Sequence, residues 1–180
     1  MIATGPAVVL GVGNVLRQDD GVGVRVVQEL GRLTEGDPSA VPSGTHLVDG
    51  GTLGLNLLQT VRGARSLLLV DAVNLGRAPG AVIVLRGDAI AAAGRGGTGS
   101  GGVGELLAMA RLMGWLPDPV TLLGIQAGDT GVGLGLSPDV EAAVPAAVEM
   151  ARLELHALDE LATAGRSVQS AVSWQEEAMA

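Results

Sequence analysis

Short apolar runs alternate with segments of helical periodicity along the whole chain, and this alternation predicts an α/β fold. Val8 to Val12 reads as a first, buried strand. A helix follows from about Gly21 to Leu33, with Val22, Val26, Val27 and Leu30 on one face. A second strand, about Thr45 to Val48, ends at Asp49; Gly50 and Gly51 turn the chain, and Thr52 is a suitable cap for a helix through Leu53, Leu57 and Leu58. Ser66 to Val70 is a fully apolar third strand ending at Asp71, and Ala81 to Arg86 is a fourth. After a glycine-dominated stretch, Gly94 to Gly104, comes a helix over about Val103 to Met113, closed by Gly114 and broken by Pro117. The fifth strand is Val120 to Ile125. Ser137-Pro138-Asp139 starts a last helix that runs to about Ala162.

The chain has 180 residues, of which 47% are hydrophobic, enough for one domain with a real core. Residues 1–164 form that domain, and 165–180, rich in Ser, Gln, Glu and Ala, read as a disordered tail. Phe and Tyr are absent, so the core is Leu, Val, Ile and Ala, which suits a parallel sheet covered on both faces. A net charge of −8 argues against nucleic acid or anionic membrane as partner. No cysteine is present, which removes thiol nucleophiles, thiolate metal sites and disulfides. No apolar run reaches membrane-spanning length, and a cytoplasmic, monomeric protein is expected.

Candidate chemistry concentrates where strands end. GVGNVLRQDDGVG, Gly11 to Gly23, joins a strand to a helix and carries Asp19 and Asp20. Such turns often cradle phosphate, but carboxylates repel it, and Leu16 stands where a dinucleotide fingerprint needs its third glycine. If the strand order is 2-1-3, Asp19, Asp20, Asp49 and Asp71 converge on one crevice at the carboxyl ends of the strands. Carboxylates so close favour a cation or a shared proton. Simpler roles remain open: Asp19 or Asp20 as a helix cap, Asp49 as a shaper of the DGGT turn. Asp71 follows an apolar strand and incurs a desolvation cost unless something uses it. His46 and His156 are poorly placed for that crevice and read as structural.

These residues resemble the hydrogenase maturation proteases, endopeptidases that trim the C-terminal extension of the large subunit of nickel-iron hydrogenases. The resemblance covers about Val8 to Glu160. It rests on GVGNVLRQDDGVG, on VDGGTLGLNLL (Val48 to Leu58), on LLLVDAV (Leu67 to Val73), on APG before the fourth strand, and on GLSPDVEAAVPAAVE (Gly135 to Glu149). It implies a three-layer α/β/α sandwich with a five-stranded, mostly parallel twisted sheet, of phosphorylase/hydrolase-like type. It also implies an aspartic-type peptidase in which Asp20 and Asp71 are the catalytic and metal-contacting acids. Asp49, Gly50, Gly51 and Thr52 would shape the substrate groove. The implied partner is a large-subunit precursor already loaded with nickel, the metal belonging to that substrate rather than being a tightly held cofactor.

One departure matters. The family's third metal ligand is a histidine, and its position falls here at Gly99, which has no ligating side chain. Nickel favours nitrogen-containing sites, so two carboxylates alone hold it less tightly; Thr98, Ser100, Glu105 or the precursor's own cysteines are the substitutes at hand. Ala127 and Gly128 also stand where many relatives have proline and glutamate. The expected activity is removal of the C-terminal extension. The alternative is a non-cleaving checkpoint protein that only binds the large subunit.

Overall fold

The computed structural model describes residues 5–96 and 102–177, with side chains for all of these except 93–96 and 165–177. Its strands are β1 (Ala7–Val12), β2 (Thr45–Gly51), β3 (Ser66–Val73), β4 (Val82–Arg86) and β5 (Val120–Gln126). They form a single sheet in the order β2-β1-β3-β5-β4, in which only the β4–β5 pairing is antiparallel. The helices are α1 (Val22–Gly36), α2 (Leu58–Val61), α3 (Asp88–Gly96), α4 (Val103–Leu112) and α5 (Pro138–Glu177).

Alternation along each strand sorts the core into two halves. Val9, Leu68, Val70, Leu123 and Ile125 pack with Val22, Val26 and Leu30 of α1 and with Val144, Ala147, Ala151 and Leu155 of α5. Val8, Leu10, Leu67, Leu69 and Leu122 pack on the other face with Leu57, Val61, Leu106 and Ala110. Helices therefore cover both faces, and strands buried on both sides have to be apolar throughout, as β1 and β3 are. The three-layer α/β/α expectation holds. Right-handed crossovers account for the sides: the chain steps from β1 to β2 over α1, then back past β1 to β3 over α2 on the opposite face. The reversal leaves a crevice beyond the carboxyl ends of β1 and β3.

The first motif owes its glycines to close packing. A Cβ at Gly23 would come within 2.2 Å of the Val70 carbonyl and 2.4 Å of the Val12 carbonyl, so α1 lies backbone-to-backbone on β1 and β3. Gly13 has φ +132°, and a Cβ there would strike the Asp20 carbonyl at 1.8 Å.

Several boundaries differ from expectation. β2 continues to Gly51 and β3 to Val73, so Asp49 and Asp71 lie inside strands, carried there by ladder pairing to Gly11 and Gly124. Thr52 caps no helix: a 3-10 turn, Gly54–Leu57, intervenes before α2, with Leu53 at its cap position. Helix α3 was not foreseen, because Ala91 to Ala93 carry no turn of apolar periodicity to signal it. α5 passes the expected end at Ala162 and reaches Glu177, through Ala-, Gln- and Glu-rich sequence of good helix propensity.

Candidate active site

Asp20 enters the crevice from a 3-10 turn, Gln18–Gly21, that links β1 to α1. It is buried, and its Oδ2 accepts the Asn14 backbone N–H at 2.9 Å. Asp71 comes from β3. Leu67 and Leu69 face the α2/α4 half of the core, so alternation puts the Asp71 side chain on that side too. Its Oδ1 is buried and has no hydrogen-bond partner among the described residues. Burial pushes the Asp71 carboxyl up to about 8; the Ala72 backbone N–H opposes the rise, and the nearby charge of Asp20 adds to it. The charge of Asp20 is thus felt at Asp71, the one link the structure draws between the two acids.

Asp19 is not part of that pair. Its carboxylate is fully buried and is a structural hub. Oδ2 accepts the backbone N–H groups of Gly128 (2.8 Å) and Asp129 (2.7 Å) and the Ser137 hydroxyl (2.9 Å), while Oδ1 accepts the Ser137 N–H at 2.6 Å. Burial alone would raise its pKa, but these donors, led by Asp129, Ser137 and Gly128, hold it below the usual carboxylate value. Asp19 thus binds the loop after β5 and the start of α5 to the turn that carries Asp20.

Asp49 is held away from the pair. Gly11 is paired with Asp49 on one side and with Val70 on the other, which places Asp49 on the α1 face, opposite Asp71. There its Oδ2 accepts from Gln28 of α1 at 3.2 Å, and its Oδ1 closes the turn on the Gly51 N–H at 3.1 Å. Gly51 lines a narrow cleft with Val12, Leu57, Val103 and Leu106 on the Asp71 face; Gly50 is buried beneath Leu57, and Thr52 is exposed. The DGGT segment therefore presents backbone, not its carboxylate, to that side of the sheet.

Gly99, Thr98 and Ser100 lie outside the described residues, and Glu105 is exposed on α4. No group of three or more His, Cys, Asp or Glu able to hold a metal ion exists among the described residues. His46 is exposed at the start of β2, and the His156 ring contacts the Ala40 carbonyl at 3.2 Å. Sequence reasoning missed Gln126. This buried side chain accepts the Leu75 and Arg77 N–H groups and donates to the Ala127 carbonyl, which orders the loop beside the crevice. A polar residue closing an apolar strand was the available signal. Among the described residues, no helix is long and apolar enough to cross a membrane.

The fold has counterparts among known proteins. A family model described as hydrogenase maturation protease matches residues 24–154. The chain is 35% identical over 164 residues to the hydrogenase expression/formation protein HupD of Rhodobacter capsulatus, covering 89% of this chain and 76% of that one. It is 33% identical over 144 residues to the hydrogenase 2 maturation protease of Escherichia coli (strain K12), covering 78% and 85%. The solved structure of the hydrogenase maturating endopeptidase HybD from E. coli superposes with a TM-score of 0.72 at 31% identity, over 86% of this chain and 93% of that one. With the matched model spanning most of the domain and relatives similar over nearly its full length, the chain belongs to the hydrogenase maturation protease family.

Proposed function

We propose that this protein is an endopeptidase that removes the C-terminal extension of a nickel-loaded [NiFe] hydrogenase large-subunit precursor, with Asp20 and Asp71 as its working acids. The observation that carries the reading is the Asp20–Asp71 pair itself, two buried carboxyls in one crevice, one of them with an unsatisfied oxygen. Evolution of a stable core alone does not favour such a pair, because an unpaired buried polar atom costs about 1–3 kcal/mol. The nickel is the precursor's. The Asp20 carboxylate and the unpartnered oxygen of the neutral Asp71 carboxyl would add to a coordination shell that the precursor's own ligands begin.

The division of labour follows from the environments, as in aspartic-type peptidases. Water adds to the scissile carbonyl and gives up a proton to Asp20. Asp71, held protonated at neutral pH by burial, gives its proton to the leaving nitrogen as the C–N bond breaks. The test is incubation of the purified protein with metal-loaded and metal-free precursor. Shortening of the loaded form alone is expected; equal shortening of both, or of neither, overturns the proposal.

One observation favours the checkpoint alternative. Position 99 is glycine, which has no side chain to add to the two acids. Under that reading the loaded precursor binds but stays full length, and Gly99→His brings processing back.

A further inference from the structure

Six of the eleven large hydrophobic side chains exposed among the described residues lie in loops at the carboxyl end of the sheet. Val132 is 92% and Leu134 82% exposed in the loop after β5; Leu16 is 59% and Val15 51% exposed in the loop after β1; Leu53 and Leu55 stand out after β2. The first two loops are held rigidly. Arg17 and Gly133 form a parallel bridge, the Gln18 N–H donates to the Gly133 carbonyl at 3.1 Å, and the Gly133 N–H donates to the Leu16 carbonyl at 2.9 Å. The Arg17 side chain is turned onto the Thr130 carbonyl at 3.1 Å, and the Asp19 carboxylate anchors the base of the ladder. The backbone is thus committed to keeping four apolar side chains out of the core, and a fixed apolar crest of this kind marks an interaction surface.

We propose that this crest docks the folded body of the precursor protein whose segment enters the Asp20–Asp71 crevice, through an apolar patch on that partner. The inference rests on the reading given under Proposed function and adds which residues hold the substrate and what they recognise. Position is the first argument. The turn that carries Asp20 begins inside the ladder, at Gln18, so the crest is continuous with the mouth of the crevice. Breadth is the second. The crest draws on loops after β2, β1 and β5, and three inter-strand steps separate β2 from β5, about 14 Å in all. An extended segment that enters the crevice along the strand direction is about 5 Å wide and covers a third of that. A folded surface spans it, with the scissile segment running into the crevice between the loops. A second copy of this chain seated there would instead cover the mouth of the crevice.

The test compares Leu16→Ser and the pair Val132→Ser, Leu134→Ser with the wild-type full chain. These side chains are exposed, so the melting temperature stays unchanged. Binding of the full-length precursor is expected to weaken about tenfold, while the shortening rate at saturating precursor holds. Leu112→Ser with Met113→Ser removes exposed apolar groups at the end of α4, at the amino end of the sheet, and leaves both readouts alone. Unchanged precursor binding by the crest variants overturns the inference. So does a synthetic peptide of the cleaved segment that competes with the whole precursor at equal affinity. A wild-type dimer in sedimentation that the crest variants dissolve also overturns it, by making a second copy the occupant. If the wild type fails to shorten precursor yet the crest variants bind it more weakly, cleavage falls and docking stands. If shortening occurs and binding is untouched, docking alone falls.

Discussion

Ser137 gives both its backbone N–H and its hydroxyl to the carboxylate of Asp19, at 2.6 and 2.9 Å, across 118 residues of sequence. The start of α5 is thereby fastened to the turn after β1, and the Ser137 hydroxyl is spent on that carboxylate. Everything that borders the crevice on that side follows from this knot.

Replacing that carboxylate tests the knot directly. In Asp19→Asn an amide N–H₂ has to face backbone donors whichever way it is flipped, because both oxygens of Asp19 accept N–H groups. We expect a loss of about 2–4 kcal/mol in chemical denaturation, from the lost charge-assisted bonds and the donors left unpaired. Amide exchange at Gly128, Asp129 and Ser137 should quicken more than in the strands. The wild-type contribution also depends on pH. A folded pKa held below the unfolded one gives stability that is present above about pH 4 and is lost as the pH falls through the folded value. A variant with the same acid-side stability profile as wild type would contradict this account.

Asp71 has the opposite sign. Its folded pKa, about 8, lies above the unfolded value of 3.8, so the folded state keeps a proton that the unfolded chain gives up. Below pH 4 both states are protonated and the residue costs nothing by this route. Between pH 4 and 8 the penalty grows, and above 8 it levels off. Asp71→Asn removes the titration, so the variant should gain on wild type as the pH rises through that window, reaching about 4 kcal/mol near pH 7. Urea melts at pH 4, 6 and 8 measure it. A gap that is flat across the three, or that closes as the pH rises, means that Asp71 is not the buried acid described here.

The glycines of the first motif have a packing role that can be separated from chemistry. Gly23→Ala would drive a methyl group into the Val70 and Val12 carbonyls at 2.2 and 2.4 Å, where backbone rather than a flexible side chain has to yield. Overpacking of that kind costs about 1–3 kcal/mol or more. The expected outcome is a clearly lowered melting temperature, with α1 displaced from β1. Gly36→Ala, at the end of α1 with open space around its Cβ position, is the control and should be neutral or mildly stabilising.

How far the sequence could be read depended on the kind of interaction involved. Val8–Val12 and Leu67–Val70 had to be buried strands because nothing but a two-sided core accepts such runs, and the 2-1-3 order, a condition at the level of sequence, is the one the structure adopts. Convergence of Asp20 and Asp71 followed from that order. Asp49 shared the same strand-end position but not the same face, and face depends on register with Gly11, which no pattern within β2 reveals. The role of Asp19 was hidden for a similar reason, since its partners lie more than 100 residues away in a loop without periodicity. Thr52 was misread as a cap because Gly54, at φ +49°, lets the chain form a 3-10 turn first.

The acid pair should behave as a unit rather than as two contributors. If water loses its proton to one carboxyl while the other protonates the leaving nitrogen, removing either one disables the exchange. Asp20→Ala and Asp71→Ala should then each slow shortening of loaded precursor by at least about a hundredfold, and the double variant should be little worse than either single one. Single-turnover shortening at saturating precursor is the measurement, since it separates the chemical step from binding. The crest of Val132 and Leu134 remains intact in all three variants, so precursor affinity should change far less than rate. Strictly additive losses would mean that the two carboxyls act in separate steps, and a double variant that still trims at the wild-type rate would place the chemistry elsewhere in the molecule.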